Sequence, residues 1–321
     1  MHARIEVLRQ MDLFFITLRC VATMLLYAIP GFVGIKAKLW KPEHIPLFAY
    51  FLMYVASPAL NIDAFIRGDF TPDDIGVCLT FFVTGFFVQF AVMIASYLVL
   101  RHKYADVRYK VLTLATTLGN CGFMGIPLLR AVLPQYPLAV PLSIFFSLGM
   151  NILVYTMGFF IISGDQKYAS LRQTFLNPAT ISTTVGFGLF LLQTLTPLQM
   201  PTLVVDACAS LGAISTPLCL VIIGMRLATV SPRQLFGEPV VYLAILIKQI
   251  LVPLIVYGVL SFVPLDPCFE KTLFIMTAVP VASMILNATE ILHAGQKEAA
   301  STILLSTISS VITIPLLMLL P

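Results

Sequence analysis

The sequence is poor in charged residues, since 15 acidic and 19 basic side chains make up only 11% of its 321 residues. Soluble globular domains are about 25% charged and about 45–50% apolar, whereas this chain is 59% hydrophobic, with a mean hydropathy of +0.97. A water-soluble fold of this composition would expose large apolar patches. Intrinsic disorder is excluded too, because it requires low hydrophobicity and high net charge. The composition predicts an all-α integral membrane protein with several spans.

Long apolar runs, separated by short polar or proline-containing turns, occur along the whole chain. A transmembrane helix needs about 20 mostly apolar residues. Ten such runs are present, at residues 13–33, 45–66, 75–100, 107–133, 138–162, 178–195, 203–227, 240–263, 269–293 and 299–320. The strands of membrane barrels are only about ten residues long and alternate in polarity. The runs therefore predict ten transmembrane helices.

Sequence signatures of enzymes and of metal sites are missing. The chain has no H-E-x-x-H, G-x-S-x-G or P-loop pattern, and its four histidines are scattered at the ends of the runs. The six cysteines form no C-x-x-C pair, so they are interpreted as small apolar packing residues. We therefore expect no enzyme activity, no cofactor and no metal. The modest net charge of +4 does not indicate nucleic acid as a partner.

The distribution of Lys and Arg between the short loops predicts the orientation in the membrane. With ten spans both termini lie on one face, which carries five of these residues, whereas the other face carries twelve. The face with twelve is expected to be cytoplasmic. Both termini are therefore predicted on the extracytoplasmic side of the cell membrane, although Arg4 and Arg9 favour the opposite orientation.

The two halves of the chain share a pattern of spaced residues. A proline is followed nine residues later by an arginine in the second run (Pro58, Arg67) and in the seventh (Pro217, Arg226), at an offset of 159 residues. The same offset relates two polar residues deep within the third and eighth runs, Gln89 and Lys248. Because each half has five spans, the second copy is inverted. We predict a 5+5 inverted repeat of residues 1–162 and 177–321, joined by a short cytoplasmic connection at 163–176.

Two runs, the fourth of each half, contain residues that interrupt a helix. Residues 119–127 (GNCGFMGIP) combine three glycines, an asparagine and a proline, and residues 278–283 (AVPVAS) have a central proline. Unwound backbone within a bilayer must be satisfied by a cavity or a ligand. Paired interruptions therefore indicate a transport site, and the N-terminal ends of the half-helices favour an anion there.

The segment 116–129 (TTLGNCGFMGIPLL) resembles the signature of the auxin efflux carrier family, which includes plant PIN carriers and bacterial malonate and malate carriers. The family is related to the bile acid/sodium symporters. Residues 177–180 (NPAT), where Asn177 is also expected to cap a helix, and 287–307 are similar to further family elements. The resemblance covers essentially the whole chain and favours the malonate- and malate-carrier-like branch. Cys121 replaces the Thr usual in plant members, and the central connection is short, so auxin is not the expected substrate.

The resemblance implies a ten-span fold in which the fourth and ninth spans cross as broken helices. It also implies a scaffold of spans 1, 2, 6 and 7 that holds a moving core of spans 3–5 and 8–10. Such a carrier works by elevator-type alternating access, with the substrate at the crossing. Association of two chains through the scaffold is one option for the oligomeric state.

Asn120 is the first candidate for binding the substrate, because it lies in the first interruption and matches the family motif by position. Four neighbours complete the expected crossing, namely Cys121, Pro127, Pro280 and Val281. Lys248, about ten residues into its run, is a functional candidate because charge is costly inside a membrane. It contacts either a substrate anion or a structural partner, such as Gln89 or a backbone carbonyl, and both alternatives stay open.

Other polar residues within the runs are secondary candidates. Asn151, Asn61 and Ser57 either line the same cavity or join helices by hydrogen bonds. Glu290, with Gln89, is the candidate for coupling transport to H⁺ or Na⁺. The sequence thus predicts a secondary carrier for a small organic anion. The alternatives are a membrane-embedded ligand sensor that binds without net transport, and a channel.

Overall fold

The structure is a computed structural model, which describes residues 2–67, 71–168 and 170–320. Within these ranges the chain forms α-helices and no β-strand. The helices are α1 (His2–Leu26), α2 (Ala28–Lys36), α3 (Ile45–Phe51), α4 (Ser57–Ile66), α5 (Pro72–Leu100), α6 (Val107–Ala115), α7 (Ile126–Val132), α8 (Ala139–Leu153), α9 (Phe159–Ser163), α10 (Leu171–Leu176), α11 (Pro178–Leu195), α12 (Thr202–Ala213), α13 (Ser215–Thr229), α14 (Pro232–Phe236), α15 (Pro239–Leu246), α16 (Val252–Leu260), α17 (Pro267–Ala278), α18 (Met284–Ile291) and α19 (Gln296–Leu317).

Eight described stretches of helix are long and apolar enough to cross a membrane. They are Gln10–Lys36, Pro42–Ile66, Pro72–Lys103, Ala139–Ser163, Gln166–Leu195, Thr202–Thr229, Pro239–Leu260 and Gln296–Leu317. These stretches coincide with eight of the ten predicted runs, so the prediction of an all-helical, multi-span membrane protein is confirmed. The two remaining runs are the fourth and the ninth, and in both the helix is divided.

The division of the fourth run lies upstream of its proline. Residues 116–120 are not helical, and a shorter apolar helix then spans Cys121–Val132. Its first turn, Cys121–Gly125, is π-helical and ends two residues before Pro127. A wider turn accommodates the proline ring and its missing donor, so the helix continues through Pro127. In the ninth run α17 ends at Ala278 and α18 begins at Met284.

Two other prolines within the long helices follow the same rule, whereas Pro315 lies inside α19 without a π-helical turn before it. Two further π-helical segments, Leu52–Ala56 and Ile247–Leu251, each end two residues before a proline, Pro58 and Pro253. The backbone therefore widens ahead of these prolines instead of breaking. The two interruptions differ from these segments, because residues 116–120 include Gly119 and Asn120 and because Val279, before Pro280, has an extended backbone conformation.

Glycine permits the closest contact between helices, which joins α2 to α13. A Cβ on Gly31 would lie 2.0 Å from the carbonyl oxygen of Val221, and a Cβ on Gly224 would lie 1.9 Å from that of Ala28. Only glycine allows backbones to approach so closely. α4 packs against α11 and α12 in the same group of helices, whereas α5 packs on α8, and α14 and α15 pack on α19.

Large apolar side chains point outward from the middle of the long helices. Phe15, Phe87 and Ile255 are 58%, 59% and 64% exposed. Such patches would be unfavourable in water but suit contact with lipid chains. The outward surface and the long helices thus agree on the membrane as the environment.

Candidate functional site

The two interrupted segments meet and pair with each other. Gly119 and Val281 form an isolated antiparallel β-bridge. Two backbone hydrogen bonds flank it: the Asn120 N–H donates to the Pro280 oxygen at 2.7 Å, and the Ala282 N–H donates to the Leu118 oxygen at 3.0 Å. The backbone groups that leave the helices at the interruptions are therefore partly satisfied by each other.

Lys248 lies next to this bridge. Its Nζ donates to the carbonyl oxygen of Thr277 at 2.9 Å, in the last turn of α17. A Cβ on Gly119 would lie 3.1 Å from Nζ. A cation at the C-terminal end of a helix interacts favourably with the helix dipole. Lys248 is 1% exposed, and its contact is with a backbone carbonyl, one of the two arrangements expected for it.

A cavity of about 190 Å³ lies at the crossing, and Lys248 is not among its lining residues. Both interruptions contribute to its wall, together with α4, α8, α13, α18 and α19. The polar residues of the wall are Ser57, Asn61, Asn120, Ser147, Asn151, Arg226, Ser283 and Asn287, and two cysteines, Cys121 and Cys219, belong to it as well. Arg226 is the one residue with a full ionic charge among the described lining residues.

Asn120 has an unused hydrogen-bond donor at this cavity. The residue is 4% exposed, and its Nδ2 has no oxygen or nitrogen acceptor among the described residues; its polar neighbour is the thiol of Cys219, a weak acceptor. Other buried polar atoms also lack partners, but of these residues Asn120 is the one that lines the cavity. A buried donor without an acceptor costs about 1–3 kcal/mol, which an acceptor atom of a ligand would offset.

An ion pair borders the cavity at Arg226, in the last turn of α13. Its Nη1 donates to Oε1 of Glu290 at 2.9 Å, and Glu290 belongs to α18. The two side chains are 24% and 45% exposed. Glu290 itself is not part of the wall. The pair thus links the helix after the second interruption to α13.

Four further predicted residues lie at the cavity, namely Ser57, Asn61, Asn151 and Cys121. The Asn61 Nδ2 also donates to Ser182 Oγ at 3.0 Å, so this side chain joins α4 to α11.

The remaining candidates, Pro127, Pro280, Val281, Lys248, Gln89 and Glu290, are not in the wall. The Gln89 Nε2 instead donates to the carbonyl oxygens of Gly85 and Phe146, at 3.0 and 3.1 Å.

Four polar residues of the wall, Ser147, Arg226, Ser283 and Asn287, were not among the sequence candidates. A signal for three of them exists, because the pattern S-x-x-x-N occurs three times in the chain, at Ser57–Asn61, Ser147–Asn151 and Ser283–Asn287. Residues four apart share one face of a helix. All three pairs line the cavity. The sequence analysis names Arg226 only as part of the repeated pattern, because a cation at the end of a run is typical of a loop.

A second cavity, of about 220 Å³, lies beside α16 and the end of α19. Its polar lining residues include Gln10, Glu270 and Lys271, and neither interruption contributes to it. The candidate site is therefore the cavity at the crossing.

Comparison with known protein families gives one finding. A family described as "Membrane transport protein" matches residues 16–172 and again residues 167–318. The two matched segments meet within the predicted connection at 163–176. No curated protein matches the chain. Because the two matches cover nearly the whole chain, this protein belongs to the membrane transport protein family, which is the auxin efflux carrier family.

Proposed function

We propose that this protein is a secondary transporter that carries a small organic anion, a carboxylate, across the cell membrane. The observation that carries the proposal is the unpartnered Nδ2 donor of Asn120 in the cavity where the two interrupted segments pair. Membership of a membrane transport family supports the transport activity. The chemistry of the cavity wall supports an anion as the substrate.

The wall offers donors and positive charge. Asn120 contributes an N–H group, Arg226 a guanidinium, and the three S-x-x-x-N pairs contribute hydroxyl and amide groups. No Asp or Glu is among the described lining residues. Hydrogen bonds between a charged donor and a carboxylate are about twice as strong as neutral ones. A volume of about 190 Å³ is below the range of about 300–1,000 Å³ of pockets for drug-sized ligands, which favours a small substrate.

Two helix ends add to this preference. The helix Cys121–Val132 and α18 both begin at the cavity, where Cys121, Gly122 and Met284 are in the wall. The first N–H groups of a helix have no partner within the helix and carry partial positive charge. Anions bind readily at such ends.

The contacts between helices support an elevator-type movement. The cavity lies between the group formed by α2, α4, α11, α12 and α13 and the helices α8, α18 and α19. In the proposal the first group is the scaffold, and the second belongs to the core that carries Asn120. The Thr216 Oγ1 donates to the carbonyl oxygen of Phe123 at 2.8 Å across this boundary, and the movement would break this bond.

The orientation of the proposed carrier follows from the cavity and the loop charges. The wall extends from the crossing to Ala179, Ala300 and Arg226, at the ends of α11, α19 and α13. With both termini on the extracytoplasmic side, as the Lys and Arg distribution predicts, these ends are cytoplasmic. The cavity then corresponds to a state open toward the cytoplasm. Association of two chains through the scaffold would leave the core free to move.

Transport assays of the reconstituted protein would test the proposal. Currents and radiolabel uptake are measured in proteoliposomes with acetate, benzoate and succinate, with and without H⁺ or Na⁺ gradients. We expect saturable transport by the wild type and its loss in Asn120→Ala. Thr117→Ala is a matched control, because Thr117 is also a buried residue with an unpartnered side-chain atom in the same interruption but outside the cavity.

Three outcomes would contradict parts of the proposal. Full transport by Asn120→Ala would exclude this assignment of the site. Saturable binding without accumulation would favour the sensor, and flux that does not saturate would favour a channel.

A further inference from the structure

Arg226 is the residue that brings ionic charge to the cavity wall, within the part of the chain that the structure describes. Long side chains on a helix point back toward its N-terminus. For Arg226 this direction leads toward Ile222, Ile223 and Cys219, the other α13 residues in the wall. The guanidinium is therefore placed to meet a molecule that occupies the cavity.

Arg226 contacts its partner Glu290 through only one of its guanidinium nitrogens. Nη1 donates to Glu290 at 2.9 Å, while Nε and Nη2 make no hydrogen bond with the described residues. The Glu290 side chain is 45% exposed. Exposed pairs of this kind stabilise a protein little, whereas a guanidinium can give two parallel hydrogen bonds to a single carboxylate.

On the basis of the proposed function, we infer that Arg226 is the charge-selecting residue of the cavity and that Glu290 is its counter-ion in the empty carrier. The carboxylate of the substrate replaces that of Glu290 on the guanidinium. Because one carboxylate replaces another, the guanidinium is not left without a counter-charge in the partly buried wall. Glu290 turns to solvent, to which it is already exposed. A neutral molecule cannot make this exchange.

Calorimetric titration of the purified full-length protein in detergent tests the exchange. The probes are acetate, benzoate and succinate, with benzamide as the neutral counterpart of benzoate. Arg226→Gln should weaken binding of the acids about 10- to 100-fold, because it removes hydrogen bonds from a charged donor. Glu290→Gln should tighten binding about two- to fivefold, because the competing carboxylate is gone.

Two further variants separate this role from a structural one. In the double variant, Glu290→Gln should give no gain, because Arg226→Gln has removed the group for which both carboxylates compete. Arg67→Gln is the matched control: Arg67 is the arginine related by the offset of 159 residues, and it is also ion-paired but lies outside the wall. It should leave the affinity unchanged. Arg226→Lys keeps the charge and should retain part of the affinity, which covers the case that Arg226→Gln does not fold.

The outcomes distinguish this inference from the proposed function. Equal affinity of the wild type and the Arg226 variants, or weaker binding by Glu290→Gln, overturns the exchange. If Asn120→Ala abolishes binding in that case, the proposed function stands and only the role of Arg226 is lost. If the wild type binds none of the three acids, both fail together.

Discussion

Two ion-pair clusters occupy related positions in the two halves of the chain, and they differ in burial. In the first half Asp63 accepts from Arg67 at 2.8 Å and from Arg130 of α7 at 3.3 Å, and the Asp63 side chain is only 4% exposed. In the second half Arg226 contacts Glu290 of α18, and Glu290 is 45% exposed. Offsets of 159 and 160 residues relate Arg67 to Arg226 and Arg130 to Glu290.

The two clusters also differ in whether their residues line the cavity. Arg226 is in the wall, whereas Asp63, Arg67 and Arg130 are not. Similar sequence positions thus form a closed cluster in one half of the chain and an accessible pair in the other. The two halves share a pattern in sequence, and the cavity is lined by the arginine of only one of them. The predictions below test this inequality, beginning with the largest expected effect.

Removing the carboxylate should be far more costly in the closed cluster than in the accessible pair. Asp63→Asn leaves two guanidinium groups without their counter-ion. We expect a loss of about 2 kcal/mol, less than the roughly 3–5 kcal/mol for breaking a fully buried pair, because the arginine side chains are about half exposed. Glu290→Gln should cost well under about 1 kcal/mol. Thermal unfolding of both variants in detergent gives the comparison, and equal losses would show that the two clusters are equivalent.

Two glycines of the first interruption, Gly119 and Gly122, differ in the space that surrounds a Cβ at their positions. A Cβ on Gly119 would lie 2.8 Å from Val279 Cγ2, whereas a Cβ on Gly122 would meet nothing within 4 Å. Gly119→Ala should therefore destabilise the protein by about 1 kcal/mol or more through overpacking and disturb the bridge to Val281. Gly122→Ala should leave the unfolding temperature nearly unchanged. Similar unfolding temperatures for the two variants would contradict this arrangement.

The smallest effect is expected where an ion pair joins the halves outside the membrane. Arg108 contacts Asp106 at 2.6 Å and Glu238 at 3.2 Å, and hydrogen bonds from Arg108 lower the pKa of Asp106. A lowered pKa means that this stabilisation is present above the unfolded pKa of about 3.9 and is lost as the pH falls through the lower folded value.

Asp106→Asn keeps a good helix cap and removes the charge. Wild type and variant should differ by less than about 1 kcal/mol near neutral pH, and the difference should begin to shrink as the pH falls below about 4. Melting curves from pH 7 to pH 3 check this. A difference that grows toward acid pH would contradict the assignment.

Local features of the structure follow directly from sequence. The long apolar runs predict the eight continuous spans, and the two remaining runs are the one in which glycine, asparagine and proline cluster and the one with a central proline at Pro280. The expected cap at Asn177 is present, since its Oδ1 accepts from the Thr180 N–H at 2.9 Å. These features depend on neighbours in the chain, so propensity and hydropathy suffice to find them. The ten-span inverted repeat, the scaffold and core, and the orientation remain predictions.

The site follows from sequence only in part. Asn120 and Cys121 are found from their motif, and Ser57, Asn61 and Asn151 from their polarity within apolar runs. Lys248 shows the limit of that approach, because its depth in a span is clear from sequence but the direction of its side chain is not. Its Nζ donates to the Thr277 carbonyl oxygen, and Lys248 does not line the cavity.

Which segments are helical and apolar, and where two of them are interrupted, can be predicted from sequence, because these properties depend on residues close together in the chain. That Arg226, Asn120 and the three S-x-x-x-N pairs share one cavity is visible only in the folded chain. Their helices are far apart in sequence, and the rotation of each helix about its axis is set by packing, such as the glycine contacts between α2 and α13. The same packing closes the cluster at Asp63 and leaves the pair at Arg226 accessible.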